Sequence, residues 1–124
     1  MAKGFQDIEL YSLFLQLNQR YFDNWLPNTL IISRSNRLKR KAGVCYFYRY
    51  PNGLIKPLEI CLSDVYINTY SEDTASVLLH EMIHMKIGHI KHNWEFVAEM
   101  NRLNLLYNLN IKIFGKNIEG GIVK

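Results

Sequence analysis

The sequence predicts an α+β fold: one domain in which helices pack on a small, mostly antiparallel sheet. Three observations predict it. Apolar residues recur at helical spacing near residues 5–22, 71–88 and 93–107. Short strand-like runs fill the interval between the first two. At 124 residues, 48% of them hydrophobic, the chain can bury one core but not two ordinary ones. A single domain over 1–124 is therefore expected, with its core at about 5–107 and a short tail at 108–124.

The first helix places Leu10, Phe14, Leu17 and Tyr21 on one stripe, with Tyr11, Leu15 and Phe22 beside it. Pro27 and the asparagines around it end that helix. Strands are expected at 29–34, 42–50 and 55–62. The Pro51-Asn52-Gly53 turn joins the last two as a hairpin, because Asn and Gly tolerate the positive φ that tight turns need. In the last strand Leu58, Ile60 and Leu62 alternate with Glu59 and Cys61, the pattern of a sheet buried on one face. A second helix should begin near Thr69 to Ser71, whose hydroxyls serve as caps, and end at Gly88. Asn93 is a good N-cap for a third helix with Phe96, Met100, Leu103 and Tyr107 on one stripe. A short strand at 111–114 and then frayed residues are expected after it.

Composition narrows the setting. No window approaches the roughly 18 apolar residues of a membrane span, and the N-terminus lacks the apolar run of a secretory signal. A soluble, cytoplasmic, monomeric protein is expected. Two cysteines, Cys45 and Cys61, build neither a disulfide framework nor a four-cysteine metal site, and read as reduced sheet residues. The net charge of +4 is concentrated in Arg34, Arg37, Lys39, Arg40 and Lys41. Such a loop can hold phosphates, and Tyr46, Phe47, Tyr48 and Tyr50 after it could stack on bases. A solvated loop leading into a strand of packed aromatics is the more economical reading.

All four histidines fall between residues 80 and 92, and His80-Glu81-Met82-Ile83-His84 is an H-E-x-x-H pattern. On a helix, residues four apart share a face, so both imidazoles reach one zinc ion while Glu81 lies beside its water. Zinc acidifies that water, and the carboxylate moves its proton to the leaving amine. Chance would produce the pattern in roughly one shuffled chain in 150, so the surroundings carry the argument. The pattern lies in an expected amphipathic helix whose other faces carry Leu78, Leu79, Met82, Ile83 and Met85. The fold expected is then zincin-like.

The third ligand is less direct. The long metzincin motif would need a glycine at position 87 and a histidine at position 90, where the chain has Ile87 and Ile90. His89 points about 140° from the metal face on a continuous helix, although a break at Gly88 frees it. His92 precedes the third helix, where a reversing chain returns toward His80 and His84. Glu95 and Glu99 on that helix are the carboxylate alternatives.

The stretch LLHEMIHMKIGHIKHNWEFVAEMNRLN resembles the SprT-like zinc metalloproteases, a family that includes the DNA–protein crosslink protease Spartan. There the pattern is followed by a histidine in an H-G-x-x-F context, here His92-Asn93-Trp94-Glu95-Phe96. LYSLFLQLNQRYFDNWLP is similar to the family's first helix, and ICLSDVYI to its strand and turn before the active-site helix, so the likeness covers about residues 10–107. The resemblance implies one Zn²⁺ per chain on His80, His84 and His92, with Glu81 as general base, His89 as a turn or outer residue, and a protein or peptide substrate. Asn93 replaces the usual glycine, a mild change because asparagine both caps helices and tolerates left-handed backbone. The four-cysteine ribbon of many relatives is not present, which removes one support for a role in DNA–protein crosslink repair. The alternatives are a metal-containing DNA-binding module without turnover and a zinc hydrolase of some non-protein substrate.

Overall fold

The computed structural model describes residues 5–113 and 121–123. Its first helix, α1 (Ile8–Phe22), begins where the Asp7 carboxylate accepts the Leu10 N–H, and ends at Asp23 in left-handed geometry. Leu10, Phe14 and Leu17 of the expected stripe are buried, with Phe22 from beside it, whereas Tyr21 is half-buried and Leu15 exposed. Asn18 is buried among them, and its amide holds both backbone groups of Leu26, so the chain turns over the helix end without orphaned polar atoms.

Three strands follow, β1 (Ile31–Ser35), β2 (Gly43–Arg49) and β3 (Ile55–Ser63). The hairpin between β2 and β3 is antiparallel and turns at Gly53, whose φ is 89°. The sheet as a whole is not mostly antiparallel but mixed, in the order β1-β3-β2-β4, with β4 formed by Gly121–Val123. β1 lies on the far side of β3 instead of beside β2, and this makes it parallel to β3. β4 runs parallel to β2 along its outer edge, pairing Tyr46 to Tyr48 with Gly121 to Val123. Ile60 and Leu62 fill the core face of β3, but the register shifts between Tyr46 and Phe47, opposite Leu58. That bulge places Leu58 with Tyr48, Tyr50 and Lys56 on the opposite face. Glu59 is buried there too, accepting the Ser33 hydroxyl, so the expectation of a single buried face fails at this point.

The helix expected to start near residues 69–71 starts at Thr74, and a short helix that was not expected precedes it. Ser63 caps the short α2 (Asp64–Thr69), and Ser71, at a φ of 52°, breaks the run. Asp73, not a hydroxyl, caps α3 (Thr74–Ile87) by accepting the Ser76 N–H, and Gly88 ends it as expected, at a φ of 80°. α3 is not amphipathic: every residue from Val77 to Met85 is buried, since strands, α1 and α4 surround it. Asn93 caps α4 (Trp94–Tyr107) through the Glu95 and Phe96 N–H groups, as its position predicted. Phe96 and Leu103 join the core, whereas Tyr107 of the same stripe is exposed.

Residues 109–113 have no regular structure, so the strand expected at 111–114 is not found there, and Phe114 lies outside the described residues. The segment is nonetheless held: Ile111 is buried in the main core, and Lys112 Nζ lies 2.8 Å from Glu72. Among the described residues no helix is long and apolar enough to cross a membrane.

Candidate metal centre

One turn of α3 separates His80 from His84, and the chain leaving Gly88 reverses so that His92 returns just before Asn93. The three Nε2 atoms form a nearly equilateral triangle, with separations of 3.1 Å for His80–His92 and 3.2 Å for the other two pairs. Two nitrogens bound tetrahedrally at about 2.0–2.1 Å lie about 3.3 Å apart, so this spacing fits a metal ion shared by all three. These are also the only His, Cys, Asp or Glu groups among the described residues that converge in this way.

The other side of each helical imidazole is fixed by a main-chain carbonyl. His80 Nδ1 lies 2.7 Å from the Lys112 oxygen, and His84 Nδ1 2.9 Å from the His89 oxygen. A carbonyl only accepts, so both Nδ1 atoms carry the proton and both Nε2 atoms present lone pairs to the triangle. Burial, reinforced by its histidine neighbours, pushes His84 down to about 2, and His92 is lowered to about 4 for the same reasons. Both rings are therefore neutral at pH 7, the form that binds metal. Phe96 packs against all three, with ring centroids 4.5–4.9 Å away.

Glu81 is fully buried on α3. The start of β2 passes against it at Gly43, where a Cβ would come within 3.2 Å of Glu81 Cγ. Only a residue without a side chain fits there at ordinary contact distance. Neither this contact nor the Lys112 carbonyl was read from the sequence. Gly43 looked like one residue of an ordinary strand, and Lys112 lay in a segment expected to be tail.

The remaining candidates are engaged elsewhere. His89 turns its ring away, Nδ1 accepting the Lys91 N–H and Nε2 lying 3.6 Å from Glu95. Glu99 accepts from Lys86 and Arg102 at 2.8 Å each, and these cations hold its carboxyl near 2. Arg34, counted with the basic loop, instead bridges Asp7 and Asp64 at 2.9 and 3.0 Å. Arg37, Lys39 and Arg40 are exposed, and Lys41 is half-buried. Cys45 and Cys61 form no disulfide.

The family model for SprT-like proteins matches residues 10–115, most of the chain. The chain belongs to the SprT-like family. Among curated proteins none matches it. The family is associated with metallopeptidase-type activity, and the three-histidine cluster is compatible with the metal that such activity requires.

Proposed function

We propose that this SprT-like protein is a zinc-dependent peptidase in which His80, His84 and His92 hold the metal and Glu81 is the general base. The observation that carries this is the triangle of three Nε2 atoms, two of them from the helix that also buries the Glu81 carboxylate. Among the described residues the donor set is three histidines, which suits a catalytic zinc site better than a structural one, which takes four protein ligands and favours cysteine. When bound, zinc supplies Lewis acidity that polarises a scissile carbonyl and acidifies water. Glu81 accepts the proton of the attacking water at a carboxylate oxygen and returns it to the leaving amine.

The substrate lies extended along the outer edge of β2. β4 pairs with that edge at Tyr46 to Tyr48, whereas among the described residues no strand pairs with it at Gly43 to Cys45, the part that touches Glu81. A peptide adding there as a strand would bring its backbone past the carboxylate. The basic loop at residues 37–41 leads into the same end of β2, which favours substrates associated with nucleic acid.

Glu81→Gln keeps the shape of the side chain but not its basicity. The variant should retain about one zinc per chain while casein hydrolysis falls by roughly 10² or more. Undiminished hydrolysis by clean Glu81→Gln protein rules out the mechanism.

A further inference from the structure

The two helical histidines are oriented by carbonyls of very different origin. For His84 the acceptor is His89, on the turn that directly follows its own helix. For His80 it is Lys112, thirty-two residues away, in a segment with no ladder of its own to fix where a carbonyl points. Something must hold that segment. Asn104, half-buried on α4, does so with both ends of its amide: Nδ2 donates to the Ile111 oxygen at 2.9 Å, and Oδ1 accepts the Ile111 N–H at 2.8 Å. Its own main-chain oxygen receives the N–H groups of Asn108 and Leu109, which close the end of α4 and start the return. Ile111 is thereby seated in the core, and the carbonyl that follows this amide clamp along the chain is the one that His80 meets.

We propose that Asn104 is a positioning residue for the metal centre, acting through Ile111 and the Lys112 carbonyl to hold His80 in its Nδ1–H form with Nε2 aimed at the other two imidazoles. This rests on the zinc-site reading above. A carbonyl fixed behind a ligating imidazole sets both its tautomer and its tilt, and loss of such a partner typically costs about 10- to 100-fold in metal affinity. Asn104 touches neither metal nor substrate.

The fold supplies its own control. Asn18 on α1 clamps Leu26 in the same two-ended way, at 2.9 and 3.2 Å, but Leu26 leads to no histidine. Asn18→Ala and Asn104→Ala remove equivalent pairs of hydrogen bonds from different parts of the molecule. Zinc affinity by chelator competition should fall about 10- to 100-fold in Asn104→Ala and stay within about twofold of wild type in Asn18→Ala. In metal-free protein, long-range ¹H–¹⁵N spectra of the imidazoles should show His80 as one Nδ1–H tautomer in wild type and Asn18→Ala. In Asn104→Ala they should show a tautomer mixture. Asn104→Asp, which still accepts the Ile111 N–H but no longer donates to its oxygen, should fall between and serves as the readout should the alanine variant not fold. Equal zinc affinity in Asn104→Ala and Asn18→Ala, or an unchanged His80 tautomer in Asn104→Ala or in the Asn104→Asp readout, overturns the proposal. The tautomer is read without metal, so a wild-type protein that takes up no zinc overturns the peptidase reading and leaves the clamp to be judged on the spectra.

Discussion

His89 and His92 stand three residues apart and play opposite parts. His92 turns its ring into the Nε2 triangle, whereas His89 turns its ring away and lends only its main-chain oxygen, to His84. A three-nitrogen site that loses one imidazole loses most of its affinity, but replacing His89 leaves its carbonyl in place. His80→Ala, His84→Ala and His92→Ala should each purify nearly free of zinc and inactive. His89→Ala should keep its zinc and much of its turnover, as metal analysis of the four purified variants would test. An empty His89→Ala protein beside a full His92→Ala protein would reverse the assignment. The first two of these histidines were legible as a pair because helical spacing alone puts residues four apart on one face. The third was not legible from spacing, since His89, His92, Glu95 and Glu99 all follow a chain break whose direction depends on tertiary packing. Resemblance to the family implied His92. What sets Glu99 aside is local pairing: it is neutralised by Arg102, one turn along the same helix, and by Lys86 of α3, which no sequence signal ties to it.

Among the elements, α3 owes its environment to what surrounds it. Its H-E-x-x-H stretch is buried on every side, so the alternation expected of a surface helix is missing and neighbours must accommodate each side chain. β2 does so at Gly43. An added Cβ would lie 3.1 Å from the Cys61 main-chain oxygen and from Leu62 Cδ2, and 3.2 Å from Glu81 Cγ. The carbonyl belongs to a paired strand and cannot swing aside, so the strand or the helix must shift. Gly43→Ala should cost about 1–3 kcal/mol, as overpacking does. Displacing Glu81 by a fraction of an ångström should lower turnover about tenfold or more, with zinc content unchanged, because positioning errors of this size are costly in catalysis. Thermal melts, metal analysis and a hydrolysis assay on one preparation would check all three; full turnover with lowered stability would mean that Glu81 does not depend on this contact. The hairpin, the Gly88 stop and the Asn93 cap were readable because each rests on one or two adjacent residues. The parallel placement of β1 and the return of residues 109–113 were not, since both depend on partners about thirty residues away.

At the scale of the whole molecule the question is what the excess of positive charge is for. The loop between β1 and β2 holds most of it, whereas Arg34, exposed near the end of β1, is already paired: it joins the start of α1, β1 and α2 through Asp7 and Asp64. That leaves Arg37, Lys39, Arg40 and Lys41 as the candidates for phosphate contact. The aromatic run divides as well, because alternation along β2 sends Phe47 into the core and leaves Tyr48 and Tyr50 37% and 42% exposed on the opposite face. Those tyrosines stand at the far end of β2 from the loop, about 20 Å away at some ~3.3 Å per residue, too far to stack a base whose own phosphate sits on the loop. Tyr46, half-buried, is the member of the run that lines a cavity with Arg37, so any nucleic-acid binding would use the loop and this end of β2, not Tyr48 or Tyr50. Neutralising Arg37, Lys39, Arg40 and Lys41 together should weaken DNA binding and flatten the slope of log affinity against log salt by up to about 0.9 per lost contact, nearly four in all. Arg34→Ala should instead lower the melting temperature and leave the slope alone, since its charge is already engaged by two carboxylates. Tyr48→Ala with Tyr50→Ala should leave the slope unchanged, although losing their edge-to-face pair lowers stability. Shift assays across a salt series separate these cases, and wild-type protein with no salt-sensitive binding would show that the loop is only a solvated connection between two strands.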